Sequence, residues 1–207
     1  MALKKAFIVS SFLIAPFCSE GRSPSFTGMY AGGDIGYRNF SSTINQTTTT
    51  GTVQQQYKFT GAGGVFDAIF GVGKAWKNLY LGYEFNTGFN TGKSTKAGAS
   101  LGNSWQFGLA ARIGAPMNDV GVMPYFGFGF EYRQMTFKTS TTNNFYNYSL
   151  APTLGSEFIL DDNWRFRGEI SYQMNIKTTN LPATYTVKSR PNSFVFKGGI
   201  IYKISND

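Results

Sequence analysis

Histidine is absent from this 207-residue chain, and cysteine occurs once, at Cys18. Without histidine there can be no Ser-His-Asp triad, no imidazole proton relay and no histidine ligand for zinc. One cysteine allows no intramolecular disulfide. Charge is also sparse, at 14% of residues. Beyond the N-terminal segment no long uninterrupted apolar run occurs, so a helical membrane span is not expected. The formal charge of +8 comes with no basic helical stripe and no aromatic RNA-binding signature, and nucleic acid is not an expected partner. The stretch GVGKAW (Gly71 to Trp76) is only superficially a phosphate loop, because Ala68 stands where the pattern needs glycine and Ala75 where it needs Ser or Thr.

The apolar run that does exist, Ala6 to Phe17, follows Lys4 and Lys5 and precedes small and polar residues. That order is a secretory signal peptide, and the run is too short to cross a bilayer as a helix. Residues 1–21 are read as the signal peptide, with cleavage near Ser19 or Gly21, and residues 22–207 as a single exported domain. Cys18 falls inside this leader, with Phe17 where a lipoprotein signal would place a small residue. The exported part is then free of cysteine, with no thiolate metal site and no thiol nucleophile. Neither a cofactor nor a metal nor a catalytic residue is expected.

Glycine (25), phenylalanine (20) and tyrosine (12) are plentiful, and their arrangement carries the fold. In NLYLGYEFNTGF (Asn78 to Phe89), Leu79, Leu81, Tyr83, Phe85 and Phe89 share one parity, and Tyr80, Gly82, Glu84, Asn86 and Gly88 the other. Period-two alternation is the mark of a strand. Eight such segments run near 28–40, 61–76, 78–90, 103–116, 122–137, 148–160, 164–177 and 193–204. The joints at Trp76 to Asn78, Pro116 to Gly121 and Asp161 to Asn163 are short, whereas 41–60, 91–102, 138–147 and 178–192 are longer and rich in Thr, Ser, Asn and Gly. Short turns at one end and long loops at the other predict an all-β, eight-stranded antiparallel up-and-down transmembrane β-barrel.

Charge parity indicates which face is inside. One parity carries Asp34, Arg38, Asp67, Glu84, Arg112, Glu131, Arg133, Glu157, Arg165, Arg167, Glu169 and Lys197, six acids and six bases. The other is almost wholly apolar. Equal numbers suit a confined lumen, where each buried charge needs a partner. Many glycines share the polar parity, as a narrow interior crowded by long charged side chains would require. The aromatic face is therefore predicted to meet lipid, with Trp76, Trp105, Trp164, Tyr172 and Tyr202 suited to the interfaces. The interior carboxylates are expected to serve as ion pairs rather than as acid and base. An alternative is a soluble secreted barrel of the lipocalin type, with the faces reversed and an apolar ligand inside.

FTGMYAGGDIGYRNF (Phe26 to Phe40), LYLGYEF (Leu79 to Phe85) and KGGIIYKI (Lys197 to Ile204) occur in the order of the opening, third and closing strands of a known family. The chain resembles the eight-stranded outer-membrane barrels of the OmpA/OmpX and opacity-protein type. In the closing segment Lys197, Gly199, Tyr202 and Ile204 match the signal read by the barrel-assembly machinery, although the tail SND replaces the aromatic residue on which many members end. The resemblance implies a monomeric protein of the bacterial outer membrane, held among its lipids and lipopolysaccharide. It implies a structural, adhesive or shielding role at the cell surface rather than an enzymatic one, and no peptidoglycan-binding domain is expected, because the chain ends with the closing strand. A narrow pore or transport barrel is the second reading.

Acids outside the interior set fall in the leader (Glu20), the short turns (Asp119, Asp161 and Asp162) and the terminus (Asp207). The long loops are expected to carry only bases: Lys58, Lys93, Lys96, Lys138, Lys177, Lys188 and Arg190. Such a rim would attract lipopolysaccharide phosphates or an acidic host surface ligand through a salt-sensitive field, or simply be a solvated surface.

Overall fold

The structure, a computed structural model, describes residues 26–47, 52–179 and 184–204. The leader expected over residues 1–21, the middle of the TTTTGT stretch and the SND tail lie outside the described residues. Nine strands form: β1 (Gly28–Thr47), β2 (Val53–Trp76), β3 (Leu79–Asn90), β4 (Lys93–Lys96), β5 (Ala99–Gly114), β6 (Val122–Lys138), β7 (Thr142–Ile159), β8 (Trp164–Thr179) and β9 (Tyr185–Lys203). Pairing runs antiparallel around a closed ring of eight, β1-β9-β8-β7-β6-β5-β3-β2, with β1 completing the circle against β2. The short β4 continues the lane of β3 past Thr91 and Gly92, pairing with β5 and touching β2 at Ala62. Through the height of the apolar belt every strand is paired on both sides, which is what allows strands to cross a bilayer; above it the pairing of β8 with β9 ends at Gln173↔Ser193.

Compact turns join the strands at the end where the chain begins. Lys77 takes a left-handed conformation (φ 51°) between β2 and β3, and Asp161 Oδ1 accepts hydrogen bonds from the amides of Asn163 and Trp164, each at 2.8 Å, between β7 and β8. In outer-membrane barrels such short turns face the periplasm.

Along β3 the outward residues are Leu79, Leu81, Tyr83, Phe85 and Phe89, all exposed, while Tyr80, Glu84, Asn86 and Asn90 are buried. The same sense holds around the ring, with Ile35, Phe70, Leu109, Phe128, Leu154, Ile170 and Ile200 on the outside. Aromatic contacts mark both limits of this belt. Trp164 and Tyr202 meet at 4.9 Å on the periplasmic side. Phe66 with Phe89 at 5.0 Å, and Phe107 with Tyr132 at 4.8 Å, mark the opposite side. Between these limits β3 has about the 9–11 residues that a tilted membrane strand needs.

Past the upper aromatic limit the alternation continues but its polarity reverses. On β1, Phe40 and Ile44 turn inward while Asn39 and Ser41 are exposed; on β2, Tyr57 and Phe59 are buried and Lys58 and Thr60 exposed; on β6, Met135 and Phe137 are buried and Lys138 exposed. Water replaces lipid outside the wall at this height, so burial of apolar side chains now favours the inside.

The expected loops at 41–60, 91–102, 138–147 and 178–192 are therefore mostly strand. Pairing of β1 with β2 continues without interruption from Gly28↔Gly73 to Gln46↔Gln55. Thr, Ser and Asn content suggested loops, but threonine is β-branched and suits a sheet. Its alternation with buried Phe, Tyr and Ile holds the register.

Leu109→Arg, at mid-membrane height on the outer face, is expected to lower stability by about 2–4 kcal/mol. Thr60→Arg, outward but above the membrane, should change it by no more than about 0.5 kcal/mol. Urea unfolding of both variants in lipid vesicles checks the assigned boundary.

Candidate functional site

Inward-pointing side chains of seven strands converge on the barrel axis. Arg167 (β8) reaches Asp34 of β1 and Glu84 of β3, both at 2.6 Å. Arg112 (β5) reaches Glu84 at 2.8 Å, Glu169 at 3.2 Å and Glu157 at 3.3 Å. Lys197 (β9) binds Glu169 at 2.8 Å and Asp67 at 3.3 Å, and Arg165 binds Glu157 at 3.3 Å. All these side chains are almost fully buried. Inward placement of this parity thus puts each of these charges beside an opposite one, where the low dielectric makes the pairing strong and an orphan costly.

The remaining three of the twelve charged positions sit higher. Arg38 approaches Glu131 at 3.7 Å. Arg133 donates to Gln173 Oε1 at 3.0 Å and to Ser193 Oγ at 3.3 Å, and Gln173 donates in turn to Glu131. No carboxylate touches Arg133 directly among the described residues; Gln173 carries the connection.

Sequence parity alone overlooked several inward groups. Tyr30 donates to Glu84 at 3.2 Å and Tyr125 to Glu169 at 2.9 Å. Gln106 donates to Asp67 at 2.8 Å, and Lys203 is buried near the periplasmic mouth. Two of the inward glycines show what the small residue is for. A Cβ on Gly71 would collide with the Tyr30 ring, and one on Gly73 with the Tyr80 ring. The signal available was positional: Tyr30 and Lys203 fall on the same parity as Asp34 and Lys197.

Apolar clusters close the lumen at both ends. Phe26, Tyr80, Met123 and Tyr125 fill the periplasmic end. At the other end Phe40, Ile44, Tyr57, Phe59, Leu101, Met135, Phe137 and Phe145 form a plug, against which Tyr185 packs. Between them, a cavity of about 20 Å³ is lined by Glu84, Arg112, Glu131, Glu169 and Lys197. That is room for a single water molecule.

The predicted rim residues lie on strands rather than in loops. Lys58 is on β2, Lys93 and Lys96 on β4, Lys138 on β6, Lys177 on β8 and Lys188 on β9, and all six are exposed. Arg190 is also on β9. Register puts Lys93 opposite Gly102 and Ala62, Lys138 opposite Ser100, and Lys177 opposite Tyr148. They are spread around the protruding wall instead of gathering into one pocket.

Arg167→Met leaves Asp34 and Glu84 each short of a base, and is expected to cost about 3–5 kcal/mol. Replacing exposed Lys177 by Met should cost less than about 0.5 kcal/mol. Urea unfolding followed by the heat-dependent shift in gel migration measures both.

A family model described as outer membrane protein beta-barrel domain matches residues 7–196. No curated protein sequence matches the chain. Among solved structures, OprG from Pseudomonas aeruginosa is similar, at 14% identity over 87% of this chain and 97% of that one, with a TM-score of 0.55. Neisserial surface protein A is similar at 17% identity over 86% of this chain and 98% of that one, with a TM-score of 0.53. Ail, the attachment invasion locus protein of Yersinia pestis, is similar at 11% identity over 86% of this chain and all of its own, with a TM-score of 0.50. At these identities the likeness is one of fold. The family match extends over most of the chain, and with the closed ring and its lipid-facing belt it establishes that this protein belongs to the outer membrane protein beta-barrel domain family and resides in the bacterial outer membrane.

Proposed function

We propose that this barrel is a non-enzymatic, non-conducting anchor that holds a rigid, basic extension above the membrane. Its outward lysines would engage anionic groups at the cell surface: the phosphates of lipopolysaccharide or an acidic host ligand. The observation that carries this reading is the combination of a lumen stoppered at both ends with six exposed lysines on the protruding strands. No acid lies on the strands of that protruding region among the described residues, so the lysine field is not neutralised locally. Ail, an attachment invasion locus protein of similar fold, supports a surface role for a barrel of this kind. Envelope integrity and adhesion are both compatible with such a device. During insertion the closing strand β9 would be read by the barrel-assembly machinery.

The narrow-pore reading is weaker. Conduction needs a continuous polar path, and here two apolar clusters flank a lumen crossed by ion pairs.

Reversing Lys58, Lys93, Lys138 and Lys177 to Glu together should leave the heat-dependent gel shift intact. Binding to lipopolysaccharide micelles and to a sulfated glycan should fall at least tenfold at low salt. The difference should shrink as salt rises, because exposed charges are screened. Equal binding by the reversed variant at every salt concentration would reject the lysine reading. In planar bilayers the unaltered protein should show no discrete current steps, and regular steps would revive the pore.

A further inference from the structure

We propose that a groove in the lipid-facing wall of β1, β9 and β8 holds one acyl chain of a phospholipid from the periplasmic leaflet. The groove has a volume of about 840 Å³. Ala31, Gly33 and Gly198 line its floor, and Ile35, Phe166, Trp164 and Tyr202 its sides. Most outward positions of the belt instead carry large apolar side chains, such as Phe70, Leu109, Phe128 and Leu154. Packing within the sheet does not require the small residues here. A Cβ on Gly168, which pairs with Gly198, would meet nothing within 4 Å. One on Gly198 would find its nearest neighbour at 3.8 Å and one on Gly33 at 3.5 Å, both ordinary contacts. None of the three glycines has a positive φ. The sheet would accept larger side chains at all three, and the hollow they leave opens only toward lipid.

Membrane height and shape select the occupant. Hydrocarbon lies outside the wall here, so no hydrophobic driving force acts between apolar groups, and closer packing is what favours one neighbour over another. A chain lying in the hollow is touched by the floor and both sides, whereas one against a convex stretch of wall is touched from one side. A second copy of the barrel fits less well, because a two-fold interface would set the hollow against itself and leave a void. The ends of the groove also differ. Trp164 and Tyr202 meet at its periplasmic limit and bring an indole N–H and a phenol O–H to the level of lipid esters. Toward mid-membrane, Ile35 and Gly198 offer no polar side chain. A polar end joined to an apolar run is the pattern of a phospholipid's glycerol ester and its chain.

Trp164 lines the groove, and the chain has three tryptophans, so fluorescence gives a direct test. One full-length variant, Trp76→Phe with Trp105→Phe, keeps Trp164; a second, Trp105→Phe with Trp164→Phe, keeps Trp76, exposed at the periplasmic end of β2. Each is folded in detergent and titrated with a phospholipid brominated near the ester end of one acyl chain. Quenching of Trp164 is expected to saturate near one lipid per barrel and, at that ratio, to exceed that of Trp76 roughly threefold or more. Gly33→Leu with Gly198→Leu, added to the Trp164 variant, should abolish the saturable part. Quenching that rises alike for both tryptophans, or that the filled groove leaves unchanged, would overturn the proposal. So would sedimentation of the unaltered protein as a dimer without bound lipid. Should the filled variant fail to give the heat-shifted form, the comparison of Trp164 with Trp76 decides by itself.

Discussion

Ion pairing across the barrel axis is the interaction on which the rest of this structure depends. Neighbouring strands are held by backbone hydrogen bonds, but β3 and β8 are not neighbours in the ring. Arg167 and Glu84 join them directly, and Arg112 ties β5 to β3, β7 and β8. Each charge is buried at a cost that only its partners offset, so the network is stable as a set and poorly tolerant of single losses. The inward glycines follow from the same crowding, since tyrosine rings occupy the gaps that the long charged side chains leave.

A second constraint is that one continuous wall passes through two solvents. In the membrane the outside is hydrocarbon, and the polar groups must go in. Above it the outside is water, and the hydrophobic effect draws Phe40, Phe59, Phe137 and their neighbours in. β1 and β2 keep a single register through the crossing, with residue types on each parity exchanging places, whereas β5 against β6 and β7 against β8 shift register near it, between Asn103 and Gln106 and between Tyr148 and Ser149. This gives the protruding hairpins a core of their own, so that the exposed lysines stand on a stiff support rather than on flexible loops.

These two constraints together bear on function. The lumen is crossed by ion pairs and flanked by apolar clusters, and the proposed role therefore rests on the outer surface. There the lysines are distributed around the wall. On the proposed reading, such an arrangement would meet a repetitive anionic surface rather than a single compact ligand.

Much was legible from the order of residues alone. Alternation of polar and apolar side chains with period two identified the membrane strands, and the balanced charges on one parity told inside from outside. Both are local properties, set by the geometry of an extended chain and by the cost of placing charge in lipid. The upper halves of the strands were misread as loops because threonine, serine and asparagine are common to turns and to solvated sheet faces. Their buried partners are recognisable only once β1 is paired with β2. Which charges meet was likewise decided by tertiary structure: Arg167 and Glu84 are far apart in sequence, and only ring closure at a particular stagger brings them to 2.6 Å. Composition and parity determined that the barrel would have a charged interior and an apolar exterior. Closure determined the partners, the plugs and the height at which the wall changes solvent, because those depend on how strands are aligned against one another.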